Sequence, residues 1–367
     1  MGAAGKCPPV GWAELFGLWH PMREMITIVG GVPEPGGGVT NFIYRVARHF
    51  PRRVRVILDL YPHTRKRKPP GVQIDMRPKS FALGMAWLWW KLAVDESRTV
   101  YFNFSSSRFL LLAWCFPKRT GVKWLLTLHH GLLGLPNGSV ARVLIRWSLR
   151  RYDAVGYIGE NQRDFFAACG VCADRLEEIV TYLPYVGEAD ERPDPHVLKA
   201  MSALRGRYRK LVLASGYPAG LYRYDWTLEY LKSQPHDAGV GVVICVYGQD
   251  RDGVLPKLRE RVAGSANVRL FEELDAATFQ AVLNQCDIYV RPTAVDSYGV
   301  AVAEAVDAGL QVIASDACKR RAGAHIFGKD DKQAFYRLLD VALAEGLPPV
   351  NELQGDSLAV MRTFLRE

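Results

Sequence analysis

No apolar run in this sequence reaches the roughly 18 to 20 residues needed to cross a bilayer. The two longest candidates, Phe81–Val94 and Phe109–Phe116, stop short of it. Cysteine is sparse, with seven scattered from Cys7 to Cys318, which excludes a dense disulfide scaffold. No secretory leader is legible either, so a reducing cytosol is the expected compartment. Cys169-Gly-Val-Cys172 has metal-ligand spacing but no second pair or His cluster to complete a site. Asp250-Arg-Asp252 likewise has no visible third ligand and reads as a solvated loop. Internal repeats, low-complexity tracts, a dinucleotide fingerprint and a Gly-Lys-Ser/Thr loop are all missing. No metal is therefore expected, and no cofactor.

What is present is ordinary globular composition, 49% hydrophobic and 23% charged over 367 residues, enough for two domains with substantial cores. The net charge of +9 favours anionic partners. Nucleic acid is not expected among them, because the basic run Arg65–Lys68 comes with no recognition motif. The first half instead repeats a different pattern: the Trp-rich segment Phe81–Val94, an expected helix around Phe109–Phe116 beside Lys118 and Arg119, and the basic helix Val140–Arg151. Tryptophan suits the headgroup level of a bilayer and Lys or Arg meets anionic lipid, so an anionic membrane surface is an expected partner.

Along the chain, residues 1–24 read as an irregular extension broken by Pro8-Pro9 and Pro21. A buried strand, Met25–Val29, then runs through Gly30-Gly31 and Gly36-Gly37-Gly38 into a helix starting near Val39. Further strands are expected at Val54–Leu58, Val122–Leu128, Ala154–Ile158 and Leu176–Tyr182, with helices between them. Strand 122–128 ends on His129-His130-Gly131, placing an imidazole at the carboxyl edge where open α/β sheets bind ligands. The polar, proline-rich stretch 184–196 reads as a linker. The grammar then restarts with strands at Lys210–Gly216, Val240–Gly248, Val268–Phe271 and Asp287–Val290. Alternation of this kind implies α/β architecture with parallel sheets. The expected division is 1–24, a first domain over 25–190, a second over 191–345, and a C-terminal segment 346–367 whose helix packs back on the first domain.

The most informative stretch is Arg291–Asp316, which reads as strand end, loop, small-residue helix, turn and buried strand. Asp296 and Glu304 flank Ser297-Tyr298-Gly299 where the helix opens, and the unpaired N–H groups of a helix N-terminus form a ready anion site. Two carboxylates beside a phosphate must hold uncharged groups, and vicinal hydroxyls offer them paired donors. A nucleotide sugar meets both demands. Taken singly, Asp296 could equally be a turn residue and Glu304 a solvated helix residue.

These motifs, in this order, resemble the GT-B glycosyltransferases, in particular glycosyltransferase family 4. The resemblance rests on Gly36–Gly38, His130-Gly131, Leu176–Pro184, Ser215-Gly216 and the acid-x7-acid segment Asp296–Glu304, spanning about 25–340. It implies two Rossmann-like domains facing across a cleft, and a retaining, metal-independent transfer of a hexose from a UDP- or GDP-sugar. The acceptor would be a saccharide, lipid-linked, in bacterial surface polysaccharide assembly on the inner face of the cell membrane. Carried over by position, Glu304 would bind ribose and Asp296 the donor sugar. The backbone of Ser297, Tyr298, Gly299 and Val300 would take the diphosphate, Gly37 and Gly38 would close on it, and His130 would stand at the reaction centre. Two departures stand out. Asp296 replaces the usual Glu, and the Arg and Lys expected after the first strand of the second domain are replaced by Tyr217 and Tyr224-Asp225, leaving Arg223 one residue out of register as a substitute. A sugar-nucleotide epimerase or phosphorylase and a non-catalytic nucleotide-sugar-binding subunit are the alternative readings.

Overall fold

The computed structural model describes residues 25–33, 38–61, 67–129, 139–187, 191–234, 239–250, 252–350 and 356–365. Among these residues thirteen strands form two all-parallel sheets, one of seven strands in the order β3-β2-β1-β4-β5-β6-β7 and one of six in the order β10-β9-β8-β11-β12-β13. The first comprises β1 Ile26–Gly30, β2 Val54–Asp59, β3 Gln73–Met76, β4 Thr99–Phe104, β5 Lys123–Leu128, β6 Ala154–Tyr157 and β7 Leu176–Glu178. The second comprises β8 Lys210–Gly216, β9 Val240–Val246, β10 Val268–Glu272, β11 Ile288–Arg291, β12 Gln311–Ser315 and β13 Ala324–Phe327.

Each sheet starts at an interior strand, grows one way for two strands, then returns to grow the other way. The reversal falls beside β1 and β4 in one sheet and beside β8 and β11 in the other. Such a switch point opens a crevice at the carboxyl ends of the strands, because neighbouring connections diverge there to opposite faces. The loop after β1 and the loop carrying Asp296 after β11 both start at these points.

The reversal also sorts the helices of the first sheet. Helix α1 Gly38–His49 and the C-terminal helix α11 Ser357–Leu365 share one core with Ile26, Ile28, Tyr101 and Leu125. Helix α2 Phe81–Val94, α3 Ser139–Leu149 and α4 Glu160–Ala168 pack on the other face, around Phe102, Trp124 and Leu126. In the second half, α5 Pro195–Arg205, α8 Ala276–Leu283 and α9 Val300–Asp307 pack on one side. On the opposite side lie α6 Tyr224–Ser233, α7 Val254–Val262 and α10 Lys332–Ala344.

Several local expectations are corrected. Phe109–Phe116 is not a helix but two 3-10 turns, Ser107–Leu111 and Ala113–Cys115, the first capped by the Ser106 hydroxyl accepting from the Arg108 N–H at 3.2 Å. β7 ends at Glu178, four residues before the expected Tyr182. Pro195, expected at the end of a linker, is the first residue of α5, with Asp194 capping it by accepting from the His196 N–H at 2.8 Å. Asp250, expected in a solvated loop, is tied to the start of α7, since its carboxylate accepts from the Val254 and Leu255 N–H groups at 3.0 Å each.

Candidate active site

The stretch Arg291–Asp316 folds as its sequence pattern predicts, with β11, a loop, α9 and β12 in succession. The loop is fastened at several points. Thr293 donates from its hydroxyl to the Leu221 carbonyl at 3.0 Å, and Ser315 donates to the Thr293 carbonyl at 2.6 Å. Gly299 caps α9 at φ +76°, and a Cβ there would stand 2.3 Å from an Arg320 guanidinium nitrogen. Only glycine satisfies both the backbone angle and the space.

Asp296 sits inside a cage of guanidinium groups. Arg291 donates to it at 3.1 Å and Arg320 at 2.7 Å, and all three side chains are under 10% exposed. Burial by itself would raise the carboxyl pKa, but the two arginines outweigh it and lower it to about 2. Arg291 also donates to the Ser215 carbonyl at 2.6 Å and lies 4.5 Å over the Tyr222 ring. Arg320 donates to the Ser315 carbonyl at 3.0 Å. Asp296 thus ties the ends of β8, β11 and β12 together.

Glu304, just over one turn into α9, is 7% exposed and pairs with Arg45 of α1, which belongs to the other sheet. Arg45 also donates to the Leu183 carbonyl at 2.8 Å, in the strand-to-linker passage. The same helix sends Asp307 to the Tyr182 hydroxyl and to Arg321, and buries Ala303 with Tyr298 in the core shared by α1 and α11. Helix α9 is therefore one element through which the two halves meet, and Lys319, after β12, adds an ion pair to Glu178 of β7.

Between the halves lies a cavity of about 210 Å³. Gly38, Asn41 and Arg45 line it from the first half, and Ser215, Tyr247, Glu273, Val300 and Glu304 are among the residues lining it from the second. Pockets for drug-sized ligands run about 300–1,000 Å³, so this one is small, and the Arg45–Glu304 pair stands in its wall.

Not every expected site residue lies there. Asp296 is not in the cavity lining, and Tyr298 is 6% exposed in the shared core, leaving only its backbone for a ligand. Arg223 is committed elsewhere: it caps α6 at φ +52°, lies 4.5 Å over Trp226, and donates to the Lys329 carbonyl and to Asp330 at 2.8 Å. Arg320 and Arg291 are the cations beside the N-terminal end of α9. Gly36, Gly37 and His130 lie outside the described residues. Their neighbour His129 is within 2.9 Å of the Asn103 side-chain oxygen, packs on Phe42 at 5.1 Å, and has its pKa pushed down to about 3 by burial, which keeps the ring neutral. The contributions of Arg45, Tyr247 and Glu273 were not foreseen. Tyr247-Gly248 after an apolar strand was the available signal, being another sheet carboxyl edge. Among the described residues no three His, Cys, Asp or Glu side chains gather as a metal site, and Cys169 is buried while Cys172 is exposed.

Residues 209–344 match the family model of glycosyl transferases group 1. That match lies entirely within the second half of the chain. The fold of the whole chain is GT-B, as in several solved structures. Anabaena HepE in complex with UDP-glucose superposes with a TM-score of 0.66 at 11% identity, covering 88% of this chain and 90% of that one. WaaG, a glycosyltransferase involved in lipopolysaccharide biosynthesis, gives 0.61 at 15% identity with 93% of each chain covered. Sucrose-phosphate synthase from Thermosynechococcus elongatus gives 0.63 at 12% identity over 93% of this chain and 92% of that one. No protein of curated function matches the chain by sequence. The cavity between the two halves is the candidate site of this fold.

Proposed function

We propose that the chain is a retaining glycosyltransferase that moves a hexose from a UDP- or GDP-sugar to a saccharide acceptor, lipid-linked, in bacterial surface polysaccharide assembly. The carrying observation is Glu304, a buried carboxylate lining an interdomain cavity one turn beyond the N-terminus of α9. In this reading Glu304 accepts hydrogen bonds from the ribose diol, and the N–H groups at the start of α9 take the diphosphate, where the helix dipole favours negative charge. Arg320 and Arg291 fix the loop that presents those groups and add positive potential as charge develops on the leaving diphosphate. Gly37, Gly38 and His130 contribute from the first domain, His130 next to the transferred sugar. The leaving diphosphate takes the acceptor proton, so positioning and charge stabilisation carry the rate, with no enzyme nucleophile and no metal.

HepE, solved with UDP and with UDP-glucose, supports a nucleotide-sugar donor, and WaaG supports a surface-glycan setting. One observation favours a binding-only subunit instead: Asp296, the acid assigned to the donor sugar, is engaged by Arg291 and Arg320. Calorimetry with UDP, GDP and their sugars, followed by a transfer assay on membrane-extracted acceptor, separates the two. Binding with transfer is expected, and Glu304→Gln is expected to weaken nucleotide binding about 10- to 100-fold, in line with losing a charge-assisted bidentate contact. Binding without turnover on any acceptor supports the subunit reading, and unchanged affinity in Glu304→Gln removes the ribose role.

A further inference from the structure

The fold gathers the three Trp-bearing segments of the first half onto one face of one sheet. α2, the two 3-10 turns and α3 all send side chains into the same core, Leu88 and Leu92 from α2, Leu110 and Ala113 from the turns, Ile145 and Leu149 from α3. Each leaves apolar surface on its outer side. In α2 only Gly84, Leu88 and Leu92 are buried, although Lys91 is the sole charged residue of the helix. Phe81 is 65% exposed, Leu83 63% and Trp90 53%. Helices apolar all round are normally buried all round. Trp114, from the second turn, meets Trp147 of α3 edge-on at 6.2 Å, and both are exposed, as are Val140 and Val143.

Charge identifies what covers this layer. Between Glu96 and Asp153 the sequence holds no Asp or Glu at all. Arg142 and Arg146 of α3 and Arg150 just past its end recur every four residues, exposed beside Trp147, and Arg108 is exposed in the first turn. A stripe at that spacing is one helix face, and here it is apolar, aromatic and of single sign. The basic groups of a protein partner of mixed charge find no counter-charge on it, whereas anionic headgroups meet the arginines while the indoles enter the headgroup level. The geometry points to this layer as the docking face for an anionic bilayer, on the side of the first sheet opposite α1 and α11. Among the described residues no helix is long and apolar enough to span, so the contact is interfacial. The acceptor proposed above would be met at that surface, and this consequence alone rests on the glycosyltransferase reading.

The test is flotation of the full chain with phosphatidylcholine vesicles containing or lacking 30% phosphatidylglycerol, at low salt and at 0.5 M salt. Binding is expected only with the anionic vesicles, weakened by salt. Arg146→Glu with Arg150→Glu is expected to cut partitioning at least tenfold, from roughly fivefold per basic residue near the surface. Trp147→Ala is expected to lower it severalfold, with the melting temperature and UDP binding of both variants unchanged. No flotation at low salt, equal flotation on neutral vesicles, or flotation indifferent to these substitutions overturns the proposal. So does a concentration-dependent dimer in sedimentation that Trp147→Ala abolishes, which would assign the layer to a second copy of the chain. Nucleotide binding and vesicle binding are read separately, so failure of one leaves the other standing.

Discussion

The two ends of the Asp296–Glu304 segment carry the same chemical group and solve its burial differently. At the loop end, the counter-charges of Asp296 are Arg291 and Arg320, both from its own half of the chain and both also bonded to carbonyl groups of its sheet. At the helix end, the counter-charge of Glu304 is Arg45, from the other half of the chain. A carboxylate neutralised within its own domain is a tie, and nothing short of local unfolding frees it. One neutralised across a cleft can exchange its partner for a ligand whenever the cleft opens. Identical spacing motifs can thus hold one scaffold acid and one exchangeable acid, and ownership of the partner tells them apart.

The sharpest attempt to break that contrast is Asp296→Ala. It strands two buried guanidinium groups and should destabilise the protein by about 3–5 kcal/mol, the usual cost of removing one member of a buried ionic cluster. Urea unfolding followed by Tyr and Trp fluorescence reads it. A loss below about 1 kcal/mol would show that Asp296 is no tie, and would return it to the pool of sugar ligands.

Acid titration tests the same tie by a gentler route. The folded pKa of Asp296, lowered to about 2 from an ordinary 3.8, means that its contribution is complete above about pH 4 and is lost as pH falls through 2. The stability advantage of the native protein over Asp296→Asn should therefore shrink by about 2 kcal/mol across that window, from 1.36 kcal/mol per pKa unit. An advantage constant down to pH 2 would mean that the arginines do not hold the carboxylate charged.

These tests turn on residues that the sequence pattern reached unevenly. The strand, loop and helix of Arg291–Asp316 were legible because apolar runs, a left-handed glycine and small helical residues all agree locally. β4, which lies at the switch point, was not anticipated: Thr99–Phe104 runs through a short serine tract into another apolar stretch, which blurs its end. β3, Gln73–Met76, has no buried residue and carries no strand periodicity. α5 was hidden by its own start signal, since Asp194-Pro195 inside a proline-rich stretch reads as linker. The site was less legible than the fold for one physical reason. Arg45 and Glu304 are 259 residues apart, and no periodicity links positions that meet only when two domains close.

That pair supplies the smallest and most discriminating effect. If Arg45 is the placeholder on Glu304, an incoming ribose must displace it, and the apparent nucleotide affinity carries the cost of the displaced state. Arg45→Ala removes the competitor and leaves a buried carboxylate in want of donors, so UDP or GDP should bind about fivefold tighter, close to 1 kcal/mol. The substitution Arg45→Lys keeps a cation in reach but not the planar fork, and should fall between Ala and the native residue. Calorimetry on the three proteins gives the order directly. Weaker binding in Arg45→Ala would make Arg45 a ligand of the diphosphate in its own right. Both ends of the segment would then serve through guanidinium groups, and the contrast between tie and latch would give way to one continuous cationic wall.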